Sequence, residues 1–227
     1  MNEKKQYCGL DLLKFIMAVL VAARHMIQVF YPAESRWRLI IGSWLSNLAV
    51  PVFFMIAGFL LFRKIPDTDK KSGWSVVGRY AWRIVKLYLL WCVIYWPIDI
   101  FNWYHGTATI METLKAYVHS FFFSSTIAQL WYLPALITAC LIVWCVSLGA
   151  RYVTPALIVT GALFLAGCLG DNWYFTAMLP QKIQNLIYLY GQHCMTMRNG
   201  IFYGSFYVCL GLVFANKTRN LPFLVSF

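Results

Sequence analysis

The sequence predicts an all-α fold: a polytopic transmembrane helix bundle of about six spans plus a truncated seventh, with interfacial helices between them. Three observations predict it. Of the 227 residues 61% are hydrophobic, 18% aromatic and only 12% charged, with a mean hydropathy of +0.63, a composition that excludes a water-soluble core. Several apolar runs reach the roughly 20 residues needed to cross about 30 Å of hydrocarbon. The basic residues gather in particular loops, as membrane orientation requires, so the net charge of +11 does not point to nucleic acid. No extramembrane stretch is long enough for a second domain, and residues 1–227 read as one integral membrane domain, truncated at its C-terminus.

The first run, Gly9 to Tyr31, carries an acid, a base and a histidine within a segment of membrane length. At about 1.5 Å and 100° per residue, Lys14 and His25 fall about three turns apart on one face of a helix. Asp11 lies one turn before Lys14 and Gln28 one turn after His25, with the small residues Ala18 and Ala22 between them. An ionised group at the centre of a membrane helix costs about 2.5–3.5 kcal/mol on insertion scales, so this stripe is expected to face a bundle interior or a wet cavity. A plainer alternative keeps Asp11 and Lys14 as an ion pair at the membrane edge, with Lys14 snorkelling and His25 hydrogen-bonded among its neighbours. Lys14 inside the run, and bulky Arg24, His25 and Met26 in place of a small-residue cleavage site, argue for a retained helix over a signal peptide.

The second run, Trp37 to Phe62, is interrupted by Asn47 and Pro51; the proline is expected to kink the helix, and Gly58 to admit a close neighbour. Arg63 to Gly78 reads as a polar loop. A third span, Trp82 to Tyr104, follows Arg79, Arg83 and Lys86, which at i, i+4 and i+7 form one basic edge. Such an edge suits lipid head groups and equally the phosphates of a soluble ligand, to which arginine's planar fork is matched. Between His105 and Ala128, the residues Ile110, Leu114, Tyr117, Val118 and Phe121 share a face, the pattern of a helix lying in the interface. The fourth span, Leu130 to Gly149, opens on LWYLP, which sets Trp131 and Tyr132 at an aromatic boundary. The fifth is Tyr152 to Leu169. A segment with DNWYF and a second amphipathic stretch on Ile183, Leu186, Ile187 and Tyr190 leads to the sixth, Ile201 to Ala215. The closing residues LPFLVSF open a seventh run that is cut off.

With the N-terminus inside, Lys4, Lys5, Arg63, Lys64, Lys70, Lys71, Arg79, Arg83, Lys86, Arg151, Lys217 and Arg219 fall on the cytoplasmic side. Arg36, Arg38, Lys115, Lys182 and Arg198 fall outside, an imbalance that satisfies the positive-inside rule. The seven cysteines are odd in number, form no CxxC pair and mostly sit in apolar runs, so they signal packing and neither a disulfide framework nor a metal site.

An imidazole within this stripe has the chemistry to take a proton from a hydroxyl near neutral pH. The pattern Lys14, ten residues, His25 in LDLLKFIMAVLVAARH, then NLAVPVFFMIAGFLL, RYAWRIVKLY, LWYL and MRNGIFYGSFYVCLG in that order, resembles the acyltransferase family 3 integral membrane proteins. The resemblance implies transfer of an acyl group, commonly acetyl, from cytoplasmic acyl-CoA to a hydroxyl on an extracytoplasmic acceptor such as a cell-surface glycan, in the bacterial inner membrane. It implies no bound cofactor, acetyl-CoA being the donor substrate, and the lipid bilayer and the acceptor as partners. By this likeness His25 is the catalytic base, Lys14 stands where the family usually has arginine, Asp11 holds Lys14, and Arg79 and Arg83, with Lys86 on the same edge, hold donor phosphates. Trp131, Tyr132, Arg198 and Asn199 would serve the acceptor.

Two positions depart from the family pattern: Ala57 replaces a serine, and Lys86 stands where a proline is common. Relatives also carry more spans. Two alternatives to an enzyme therefore stand beside it, an inactive remnant and a non-enzymatic carrier. For the carrier, a similar membrane domain precedes the racemase domain of membrane-bound serine racemases, and a polar stripe with a protonatable histidine suits proton-coupled uptake.

Overall fold

The computed structural model describes residues 7–32, 35–65, 70–106, 109–123, 125–148, 150–194 and 196–219, and among them every regular element is helical. Among the described residues four helices are long and apolar enough to cross a membrane: Cys8–Phe30, Gly73–His105, Gln129–Val146 and Val153–Gly170. Ala49–Phe62 is a shorter apolar helix. The chain is thus a multi-pass helical membrane protein. The seventh run proposed at residues 221–227 lies outside the described residues.

The chain divides into two compact units, Met1–Lys64 with Tyr207–Phe227, and Ile65–Phe206. In the first unit, α1 (Cys8–Phe30) packs against α3 (Ala49–Phe62) and against the turns that precede it. Those turns are the short α2 (Arg36–Leu39), a π-helical turn Ile40–Leu45 and a 3-10 turn Ser46–Leu48. The second apolar run is therefore broken at residues 46–48, and the kink expected at Pro51 is corrected. Pro51 is the third residue of α3, within the first turn, where a missing N–H breaks no intrahelical bond.

Gly58 performs the role expected of it. A side chain there would strike the backbone carbonyl of Val208, and one at Gly211 would strike the Met55 carbonyl and the Phe59 amide. The two glycines let α3 and α10 (Ser205–Arg219) bring their backbones together, as small residues do between membrane helices. Phe54, Leu61, Val208, Cys209 and Leu212 fill the buried side.

In the second unit, α4 (Lys70–His105) starts well before the expected span, so most of the polar stretch read as loop is helix. Lys70, Lys71 and Ser72 are adequate helix formers whose polarity hides their conformation. Gly73 gives room to the Trp144 ring of α6 (Tyr132–Val146), and Ala139, Cys140 and Val143 of α6 are fully buried. A second cluster joins Tyr88, Cys92 and Leu130 with Phe121 and Ile127, where the Tyr88 hydroxyl donates to the Phe121 carbonyl at 3.1 Å.

The interfacial segment is α5 (Ile110–Phe123). Its start is a capping box: the Thr109 amide and hydroxyl donate to Glu112 Oε2 at 3.0 and 2.7 Å, and the Glu112 amide donates back to the Thr109 hydroxyl at 3.3 Å. The unit continues through α7 (Val153–Gly170), the short α8 (Trp173–Ala177), α9 (Gln181–Cys194) and a π-helical turn Gly200–Gly204. That turn fits against α6 because Gly200 leaves space for the Ala135 carbonyl and Thr138.

Candidate active site and ligand pocket

In the first unit, α1 turns Leu10, Leu13, Met17, Val21 and Arg24 toward its packed side, all half-buried. Lys14 stands at the edge of that side and pairs with Asp11 one turn earlier at 2.5 Å, the two side chains 38% and 62% exposed. Ala18, Ala22 and His25 continue the edge and are exposed. The expectation that this stripe faces a bundle interior is corrected: Asp11, Ala18, Ala22, His25 and Gln28 are exposed, the structure joins Asp11 to Lys14, and His25 is apart from both. The cation that α1 does direct inward was missed as a site residue. Arg24 donates to Asn47 Oδ1 at 2.6 Å, so the asparagine read as a break in the second run is the partner of a charge.

In the second unit, Arg79, Arg83 and Lys86 are exposed on one side of α4, while Val77, Ile84 and Tyr88 on the opposite side are buried. The basic edge is as expected from its spacing. The Arg83 guanidinium lies 5.8 Å from the Tyr80 ring centroid and the Lys86 ammonium 5.9 Å from that of Trp82, contacts that hold long side chains beside aromatic faces. Trp131 ends the 3-10 turn Ala128–Trp131 and Tyr132 begins α6, both half-buried. Asp99 was also missed. It is buried within α4, two residues after Pro97, and its Oδ2 has no hydrogen-bond partner among the described residues.

Arg198 and Asn199 separate into two roles. A cavity of about 390 Å³ opens between α7, α8 and the 197–203 segment, walled by Phe164, Trp173, Phe202 and Tyr203, with Asp171, Asn172 and Arg198 supplying the polar groups. Asp171 organises its rim. Its carboxylate accepts from the Met197 amide at 2.7 Å and from the Thr196 hydroxyl at 3.0 Å, and lies 3.9 Å from Arg198 Nε. Arg198 remains 62% exposed, so a full positive charge stands at the mouth of an aromatic cleft.

Asn199 does not line the cavity. Its Oδ1 accepts from the Ile201 and Phe202 amides at 2.9 and 3.2 Å, capping the π-helical turn, and its Nδ2 donates to the Thr196 carbonyl and the Tyr190 hydroxyl. Burial, then the hydrogen bond with the Cys194 thiol, push the Tyr190 phenol above its ordinary range, so it meets Asn199 as a neutral hydroxyl.

Comparison with known proteins sets these sites in context. Two amino-acid racemases of Enterococcus faecalis are each 27% identical to this chain, over 93% and 96% of it and 28% and 31% of their own length. A serine/alanine racemase of Enterococcus gallinarum is 27% identical over 93% of this chain and 30% of its own length. The chain therefore spans about three-tenths of the curated relatives it matches. No solved structure matches it. The family model described as an acyltransferase domain matches residues 8–227, nearly the whole sequence, and so this chain, with its stripe of Asp11, Lys14 and His25, belongs to acyltransferase family 3.

Proposed function

We propose that this domain is a membrane O-acyltransferase of the bacterial inner membrane, with its N-terminus inside. It moves an acyl group, acetyl in the simplest case, from cytoplasmic acyl-CoA to a hydroxyl on an extracytoplasmic acceptor such as a cell-surface glycan. Family membership supports acyl transfer, and the observation that carries the chemistry is an accessible imidazole on the edge of α1 that also bears the Asp11–Lys14 pair.

His25 takes the proton of the acceptor hydroxyl as its oxygen attacks the thioester carbonyl. The carbon–sulfur bond then breaks, and the proton passes from His25 to the departing thiolate. Asp11 holds the Lys14 ammonium in place about three turns from His25, a cation that can neutralise negative charge elsewhere on the bound donor rather than at the reacting carbonyl. Arg79, Arg83 and Lys86 bind the phosphates of the donor.

Replacing His25 with alanine is expected to lower acyl transfer by about 10²–10⁴-fold, the range for loss of a general base, with membrane insertion intact. Unchanged transfer from labelled acetyl-CoA in that variant would reject the role.

The names of the racemase relatives favour a second reading, a domain that carries serine or alanine across the membrane for a racemase. Uptake of labelled serine into vesicles with no dependence on acyl-CoA distinguishes it.

A further inference from the structure

His119 on α5 and His193 on α9 lie 74 positions apart in sequence and side by side in space. His119 Nε2 is 3.4 Å from His193 Nδ1, with the ring centroids 5.7 Å apart and the ring planes 38° from each other. That separation exceeds the 2.7–3.2 Å of a well-formed hydrogen bond. It matches another geometry closely: two imidazole nitrogens, each about 2.0–2.1 Å from a tetrahedral Zn²⁺, stand about 3.3–3.4 Å from one another.

The surroundings favour an ion. Each histidine sits on a 14-residue helix, so backbone geometry fixes where the rings start. One turn before His193, Tyr190 is hydrogen-bonded to Asn199, which anchors α9 to the segment that follows it. His193 is exposed and His119 half-buried, which leaves a path for a hydrated cation. A site of this kind needs only these two protein donors, with water in its remaining positions.

We propose that His119 and His193 form a two-ligand site for a borderline divalent cation of the Zn²⁺ class, which clips α5 to α9. Imidazole nitrogen is the donor that suits such ions, and the site is independent of acyl transfer. Nothing in the spacing of two isolated histidines announces it in the sequence.

Co²⁺, a visible probe for tetrahedral Zn²⁺ sites, tests the proposal on the full chain in detergent with its thiols alkylated beforehand. One saturable Co²⁺ site per chain is expected, with tetrahedral ligand-field bands that Zn²⁺ bleaches. The bands are lost in His119→Ala and in His193→Ala, and kept when His25 and His105 are both replaced by alanine. Equal binding by the His119→Ala/His193→Ala double variant, or loss of the bands on replacing His25 and His105, overturns the assignment. A measurement on the unaltered protein guards against misfolded variants: Zn²⁺ is expected to slow amide exchange in α5 and α9 relative to the same protein in chelator. Exchange that is unchanged, or slowed equally in every helix, also overturns it.

Discussion

Arg24 and Asn47 are joined by a 2.6 Å hydrogen bond across 23 residues, and this contact ties the C-terminal third of α1 to the Ser46–Leu48 turn. A guanidinium inside an apolar helix is costly unless an acceptor meets it, and the turn that breaks the second apolar run supplies one. Replacing Asn47 with leucine removes the acceptor and leaves the charge, which is expected to cost about 1 kcal/mol, near the middle of values for polar contacts between membrane helices. Thermal unfolding in detergent checks this, and the Arg24→Leu/Asn47→Leu double variant should lose less than the sum of the single variants.

That pair illustrates what was legible in the residues. The first and fifth runs, Gly9 to Tyr31 and Tyr152 to Leu169, fall within a residue of Cys8–Phe30 and Val153–Gly170 at each end, because length and uniform apolarity specify a membrane helix without help from neighbours. The basic edge of α4 was legible for the same reason, since spacing alone sets a helical face. The start of α4 is not, because its polarity reads as loop where helix propensity is sufficient. Thr109 and Glu112 carried a T-x-x-E signature that a search for caps would have found. The pairing of Asp171 with residues 196–198, of Arg24 with Asn47 and of His119 with His193 depends on packing between distant segments, which no local pattern encodes.

Gly58 and Gly211 should be intolerant of any side chain. An added Cβ at either position meets backbone atoms of the facing helix, which cannot rotate away as a flexible side chain would. Gly58→Ala or Gly211→Ala is expected to destabilise the protein by about 1–3 kcal/mol, the range for overpacked interiors. Gly191 in α9 is the control: nothing lies within 4 Å of its added Cβ, and Gly191→Ala should be neutral or stabilise by up to about 1 kcal/mol through helix propensity. Unfolding midpoints of the three variants in one detergent decide the matter.

The capping box at the head of α5 makes that helix pH-sensitive. Hydrogen bonds from the Thr109 hydroxyl and then its amide lower the Glu112 carboxyl below its ordinary value of 4.5. A depressed acid contributes stability that is fully present above the unfolded pKa and is lost as pH falls through the folded one. Protection of the first-turn amides of α5, their exchange measured against the intrinsic rate at each pH, should therefore fall on acidification below pH 4.5. Thr109→Ala should give the lower protection at neutral pH, and Glu112→Gln should flatten the pH dependence. A profile in Glu112→Gln that matches the unaltered protein would reject the cap as its origin.

Asp171 and Arg198 should separate stability from ligand binding at the aromatic cleft. The Asp171 carboxylate holds the Met197 amide and the Thr196 hydroxyl, so Asp171→Ala leaves a part-buried N–H without an acceptor and is expected to cost about 1–3 kcal/mol. Arg198 contributes a mostly exposed charge 3.9 Å from that carboxylate, a pairing of little energetic weight in water, so Arg198→Ala should unfold with the unaltered midpoint. If the cleft receives the acyl acceptor, Arg198→Ala raises the acceptor KM with little change in kcat, whereas Asp171→Ala lowers both affinity and thermal stability, because the 196–198 segment that carries Arg198 loses its anchor. Steady-state kinetics with acetyl-CoA saturating, run beside thermal melts, distinguish the two. An acceptor KM indifferent to Arg198→Ala removes the cleft from the acceptor's path and leaves the role of His25 to be judged on its own variant.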